Sequence, residues 1–329
     1  MVVRIDGSQH TGGGGVLRVA LGLSMLTGEP LSMTNIRSNR SNPGLGHQHL
    51  AAVKLASQVC SASTEGAELR SEKLLFMPSR LEEGSYEFDI TTAGSIPLAL
   101  QPVLLAGAFS GKRFSFHLKG GTDVPHAPSA DYLRSIFLPS IRMLARSEAD
   151  VLERGFAPKG NGRMIVRLNS EYSKLTALPP INYATPGSPV KLEFRIVSTN
   201  DLEDTREHLL LAGRSIGIDT SVHVSRARSQ SPGTVSTIII HQGPMQRTIG
   251  ASMLDESMLA ETLFAHAKKL LHEPCDEHLA DQLIPYLAAH HGALHHPLTE
   301  HMHAALAVTE AFLPGRLEVD EENGIIRSR

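Results

Sequence analysis

Tryptophan is absent from the 329-residue chain, and Tyr and Phe bring the aromatic share to only 5%. A single-strand-binding surface built on stacked aromatic rings is therefore not expected to dominate. Only two cysteines occur, Cys60 and Cys275. They make neither a disulfide framework nor a cysteine-rich zinc site, and they suit a reducing, cytoplasmic setting. Long apolar runs are missing: the longest, Ser95 to Phe109, contains Gln101 and is too short to span a bilayer, so no membrane partner is expected. Arg4 and Asp6 interrupt the first residues, which argues against a secretory leader. An excess of one charge is missing too. The net charge is −3, from 31 Lys and Arg against 34 Asp and Glu, so global charge does not announce nucleic-acid binding.

What is present is an ordinary soluble composition, 41% hydrophobic and 20% charged, in a chain long enough for a large core or two domains. Charge is uneven. Residues 1–60 hold Arg4, Arg18, Arg37, Arg40 and Lys54 against only Asp6 and Glu29, while the stretch Glu318 to Glu322 is acidic. The first 50 residues are the most informative. Ile5-Asp6-Gly7 leads into Gly12-Gly13-Gly14-Gly15 and then Val16-Leu17-Arg18; a second basic loop, Arg37 to Leu45, precedes Gln48-His49-Leu50. Glycines let backbone N–H groups approach an anion closely, and a helix that starts after such a loop offers free donors and a positive dipole end. Phosphate is the first ligand to suspect. The spacing matches neither a P-loop nor a dinucleotide fingerprint, so a plain tight turn stays open as the other reading.

A strand–helix–strand–helix–strand–strand unit recurs along the chain. The first copy has strands near Val2–Asp6, Leu31–Ile36, Ala62–Leu69 and Lys73–Met77, with helices near Val16–Thr27 and Leu45–Ser61. The second has strands near Tyr86–Ile90, Arg113–Leu118, Glu148–Arg154 and Met164–Leu168, with helices near Ser95–Ala108 and Ser129–Leu144. A Pro-rich linker, Leu178 to Pro189, then introduces a smaller α/β unit with strands near Val190–Thr199, Thr220–Ser225 and Thr234–His241 and helices near Asp201–Gly213 and Met253–Leu271. The third copy resumes with helices near Glu277–Ala289 and Thr299–Leu313 and strands near Arg316–Val319 and Gly324–Ser328. The predicted class is α/β (α+β): three repeated βαβαββ units packed through their helices. Residues 1–180 and 274–329 form the repeat domain, and 181–273 an inserted smaller domain.

Several separated segments, in order, resemble the RNA 3′-terminal phosphate cyclase family. They are Arg37-x-x-Arg40-x-x-Pro43-Gly44-Leu45 with Gln48-His49-Leu50, Thr64 to Leu69 with Leu74-Leu75-Phe76, and Ala93-Gly94-Ser95 through Gln101. Further along are Gly120 to Pro128 with Asp131, Arg154-Gly155-Phe156-x-Pro158-x-Gly160, Leu279 to Leu283, and His301. The resemblance implies an ATP-dependent enzyme, assisted by Mg²⁺ or Mn²⁺, that turns an RNA 3′-phosphate end into a 2′,3′-cyclic phosphate. A histidyl–AMP and an RNA-adenylate are its intermediates. It places His301 as nucleophile; Asp281, Gln282, Gln101, Pro128 and His278 around ATP; and Arg18, Arg37, Arg40, Gln48 and His49 around the phosphates and the RNA end. Histidine suits the first role because its ordinary pKa, about 6.5, leaves a neutral, nucleophilic imidazole at pH 7. Arginine suits the last because its planar fork grips phosphate oxygens in pairs.

The chain also departs from the family pattern. Thr11 stands where a metal-holding glutamate is usual, Gly15 where glutamine is common, and Ala304-Ala305 where a Thr-Asn pair follows the nucleophile. Asn42, Gly46-His47 and His278 are atypical as well. An altered or non-catalytic relative that binds RNA or assists assembly is therefore the alternative reading, against which stands the retained His301. A third reading makes His290-His291, His295-His296, His301 and His303 a metal-binding tract, although Gly292 and Pro297 interrupt it. The oligomeric state is not readable from the sequence.

Overall fold

The computed structural model describes residues 1–10, 12–171, 190–242, 247–254, 260–272 and 275–329. Alternation in Val3-Arg4-Ile5-Asp6 buries Val3 and Ile5 and makes strand β1 (Val3–Asp6). β1 runs parallel to β2 (Leu31–Thr34) in a sheet ordered β1-β2-β4-β3, completed by the antiparallel strands β3 (Ser63–Glu65) and β4 (Leu74–Met77). Helix α1 (Gly14–Thr27) buries Val16, Leu17, Ala20, Leu21 and Leu23, and packs against α2 (His47–Cys60). It ends where Gly28, at φ 75°, donates its N–H to the Ser24 carbonyl, the left-handed stop that glycine adopts without a Cβ penalty.

The second sheet repeats this order as β5-β6-β8-β7, built from β5 (Gly84–Asp89), β6 (Arg113–Gly120), β7 (Ala145–Glu153) and β8 (Gly162–Ser170). Helix α3 (Ile96–Ala108) is buried along nearly its whole length because α1 and α2 cover one side and the second sheet the other. A Cβ on Gly22 of α1 would come within 2.8 Å of Leu105, so these helices cross as closely as glycine permits. Residues 130–140 follow as α4 (Ala130–Tyr132), one π-helical turn (Leu133–Phe137) and α5 (Leu138–Ser140). This corrects the single helix expected near Ser129–Leu144. Pro139 has no N–H to continue the α ladder, and Leu138 bonds back five residues to the Leu133 carbonyl.

A separate core lies in the sheet β10-β9-β11-β12, formed by β9 (Val190–Ser198), β10 (Asp219–Arg226), β11 (Thr234–Gln242) and β12 (Arg247–Leu254). Helices α6 (Glu203–Ser215) and α7 (Ala260–Leu270) pack on it, and Leu192, Phe194, Ile196, Ile238 and Leu263 fill its centre. Here a second expectation is overturned: Met253 and Leu254 belong to a strand, and the helix among the described residues is Ala260–Leu270. Pairing of Arg247–Leu254 along β11 satisfies the backbone of both strands, which outweighs the helical spacing of the apolar residues. The linker Leu178 to Pro189 and the domain boundaries at 180–181 and 273–274 lie outside the described residues.

The chain closes with α8 (Glu277–Ala289), β13 (Ala293–His295), α9 (Glu300–Phe312), β14 (Leu317–Asp320) and β15 (Ile325–Ser328). The order β13-β15-β14 mirrors the last three strands of the first two sheets. The short strand β13 was not expected from the sequence. One main core joins the first, second and last sheets through α1, α3, α8 and α9.

The start of α8 is fixed by a buried bond. The Tyr132 hydroxyl donates to Asp276 Oδ1 at 2.5 Å, and the same oxygen accepts the Leu279 N–H at 2.8 Å as the helix cap. Burial and the Asp276 charge raise the Tyr132 pKa well above its ordinary value, so the hydroxyl remains a donor. Tyr132→Phe removes a hydrogen bond to a charged group and should lower stability by about 1.5–3 kcal/mol. Urea unfolding monitored by circular dichroism reads this as a lower midpoint at unchanged slope.

Candidate functional site

The first residues of α1 set the electrostatics of the site. Gly13 caps the helix without a side-chain acceptor, which leaves its leading N–H groups and the positive dipole end available. Arg18 stands one turn in, and His49 reaches the same end from α2. A Cβ on Gly14 would lie 2.4 Å from His49 Nε2 and 2.8 Å from an Arg18 terminal nitrogen, so only glycine fits there without displacing them. Gly46 N–H donates to His49 Nδ1 at 3.1 Å. The imidazole proton therefore sits on Nε2, aimed at the glycine loop. Burial first, then the charges of Arg18 and Arg37, hold the His49 pKa down to about 3. His49 is thus a neutral donor at pH 7.

Arg18 itself is held in place by a directed chain of amides. Its Nε–H donates to Gln101 Oε1 at 2.6 Å, and Gln101 Nε2 donates to Gln282 Oε1 at 2.9 Å. Gln282 Nε2 in turn donates to the His278 carbonyl. Each amide has its orientation set by its neighbour, so α1, α3 and α8 are tied through one polar thread. Burial brings the Arg18 pKa down to about 10, against the attraction of the nearby Asp281 carboxylate. Gln48 Oε1 accepts the Ser95 N–H at 3.3 Å, linking α2 to the start of α3.

The remaining expected residues divide. Arg37 donates from one terminal nitrogen to the carbonyls of Asn42 (2.7 Å) and Gly44 (2.9 Å), so it braces the basic loop as well as charging it. Gly44 is obligatory there: at φ 77° its Cβ would lie 2.2 Å from the Arg70 carbonyl oxygen. Arg40 is exposed on that loop. Pro128 precedes the Ser129 cap of α4, on the side of the second sheet that holds Asp123, Asp131 and Arg154. Thr11 lies outside the described residues.

His301 is the second residue of α9, exposed, in a turn capped by the Thr299 hydroxyl accepting the Met302 N–H at 3.2 Å. α9 packs against α1, α8 and β1. The His303 ring lies parallel to that of His10, with centroids 6.4 Å apart and 9° between planes, so the start of α9 meets the glycine loop. Ala304 and Ala305 are buried against the core, which gives this departure a packing role. Among the described residues no three His, Cys, Asp or Glu side chains converge to hold a metal, the histidine tract included.

One network was not foreseen from the sequence. Arg154, 12% exposed, bonds Asp123 (3.1 Å) and Asp131 (2.5 Å), and Arg134 takes the other Asp131 oxygen at 2.7 Å. Its members stood in view as parts of two separated segments, but nothing in their spacing pairs them. A family model for RNA 3′-terminal phosphate cyclase matches residues 9–319, and so spans every element of the site.

Because the folded-state pKa of His49 lies below its unfolded value, the native state resists protonation there. That stability is complete above about pH 6.5 and is lost as pH falls towards 3. His49→Gln should therefore flatten the dependence of the melting temperature on pH across this window, as calorimetry at stepped pH will show. An unchanged slope would count against a buried neutral His49.

Proposed function

The chain belongs to the RNA 3′-terminal phosphate cyclase family, and from that membership we propose that it converts RNA 3′-phosphate ends to 2′,3′-cyclic phosphates with ATP. The observation that carries this reading is the Arg18–Gln101–Gln282 thread at the open start of α1, met by the glycine loop and the start of α9 with its His301. Backbone N–H groups, the Arg18 guanidinium and His49 Nε2–H all suit phosphate oxygens. Asp281, Gln282 and His278 on α8 suit the rest of the nucleotide, and we assign Pro128, just before the Ser129 cap of α4, to the same ligand.

In this proposal His301 attacks the α-phosphorus of ATP. A nitrogen–phosphorus bond forms, the α–β phosphoanhydride bond breaks, and pyrophosphate leaves. An oxygen of the RNA 3′-phosphate then attacks the same phosphorus and frees the histidine. Finally the adjacent 2′-hydroxyl loses its proton and attacks the 3′-phosphorus, closing the ring as AMP departs. Covalent catalysis here divides one difficult displacement into easier ones. Mg²⁺ or Mn²⁺ would offset phosphate charge on the bound ATP.

We read the shared strand order as three copies of one βαβαββ unit and residues 181–273 as an insertion. The altered-relative reading rests on Thr11 in place of a carboxylate. Incubation with α-labelled ATP followed by a denaturing gel tests both. The proposal expects an acid-labile, base-stable label that His301→Ala abolishes while the circular dichroism spectrum is unchanged. No label on folded wild-type protein would sink it and favour the RNA-binding or assembly reading. Where metal holding limits the rate, Thr11→Glu should raise labelling, and an equal rate would remove that explanation.

A further inference from the structure

Two cavities lie between the second sheet and the β9–β12 unit and share Arg154, Val197 and Ser225. Their volumes are about 260 Å³ and about 580 Å³. In the smaller one the charges are matched internally. Arg154 and Arg134 are tied to Asp131, and Arg195 bonds Glu193 at 2.5 Å, which also holds His241 at 2.8 Å. The larger one is different. Arg226 and Arg228 are exposed along it and have no acidic partner among the described residues. Glu153 is the carboxylate lining it, set in register with Arg163 on β8. Leu152 is 54% exposed in the same cavity, an apolar side chain left facing solvent.

The two walls come from different cores, yet they are joined at several points. Arg195 donates to the Ser135 hydroxyl at 2.7 Å, the Ser129 and Thr237 hydroxyls lie 3.0 Å apart, and Lys159 N–H donates to Ser231 Oγ at 3.2 Å. The smaller cavity is tied to the candidate site through bonded residues: Asp131 lines it, and the next residue, Tyr132, bonds Asp276 at the head of α8, which carries Asp281 and Gln282.

We propose that this groove holds the sugar–phosphate backbone of the single-stranded RNA that leads to the reacting 3′ end. The proposal rests on the reading above that the chain acts on RNA ends, and it adds the path by which the strand is held. Uncompensated arginines select phosphate, and Leu152 offers a surface for the apolar face of a base. Among the described residues no Phe, Tyr or Trp lines either cavity, so binding tolerates any sequence and depends on salt. An acidic peptide would use the same arginines, and the polyglutamate arm of the experiment below separates the two.

Fluorescence anisotropy tests this with a fluorescein-labelled RNA dodecamer and a trinucleotide, both ending in a 3′-phosphate. The probes are titrated into wild type, Arg226→Glu/Arg228→Glu, and a control of equal charge change on α6 and α7, Arg214→Glu/Lys269→Glu. The groove variant should bind the dodecamer roughly tenfold or more weakly. Its salt slope should fall by about 1.4, two phosphate contacts on a single strand. Trinucleotide binding and the melting curve should stay as in wild type. Equal dodecamer affinity in the groove variant, or an equal loss in the control, would overturn the proposal. So would a polyglutamate peptide bound as tightly as the dodecamer through the same two arginines. If wild type takes no label from ATP but binds the dodecamer through Arg226 and Arg228, the groove stands and the cyclase reading fails.

Discussion

A half-buried guanidinium governs this architecture. Arg18 must keep its charge inside a helical core, and oriented amides hold it there. That solution constrains everything near it. Gln101 and Gln282 are each locked into one orientation, and the helices that carry them are locked with them. Gly14 stays bare because His49 and Arg18 occupy the space of its missing Cβ. His49 remains neutral because two arginines and burial oppose a further charge. The result is a cluster of donors with few acceptors, gathered where a helix begins. Preorganised donors of this kind act on an anion without the reorganisation that water would require.

A second polar assembly stands behind the first. Tyr132 and Asp276 join the segment between β6 and β7 to the head of α8, while Arg154 gathers Asp123 and Asp131 beneath the β9–β12 unit. Both are nearly sealed from solvent. Removing one partner of such a pair leaves a buried charge exposed to a low dielectric, which is costly even where the intact pair contributes little net stability. These contacts therefore set relative position more than overall stability. They hold two cores in a defined relation, with the groove as the space between them.

The sequence made the elements legible where one rule acted alone. Alternation in Val3 to Asp6 and helical spacing after Gly14 located β1 and α1, because burial on one face decides both. It was less legible where a partner strand decided the outcome. Met253 and Leu254 carry helix-compatible side chains but lie alongside β11, and Ala293–His295 is a strand only because β15 pairs with it. The site shows the same division. Arg18, Gln101 and Gln282 were each visible as candidates, but they sit 83 and 181 residues apart in their bonded pairs, and no local pattern encodes such a contact. The loop-bracing role of Arg37 and the proton position on His49 were hidden for the same reason. Both depend on backbone groups whose placement follows only from the folded chain.

The π-helical turn at Leu133–Phe137 has a consequence beyond its local bonding. One surplus residue in a helical turn changes the phase between the side chains before it and those after it. Tyr132, just upstream, addresses α8, whereas Ser135, within the turn, addresses Arg195 of the β9–β12 unit. The segment works as a phase adapter between two surfaces. Because the surplus is one residue, the relative pose of the two cores is quantised: a one-residue deletion there moves the contacts by a whole side-chain step, not by a fraction of one.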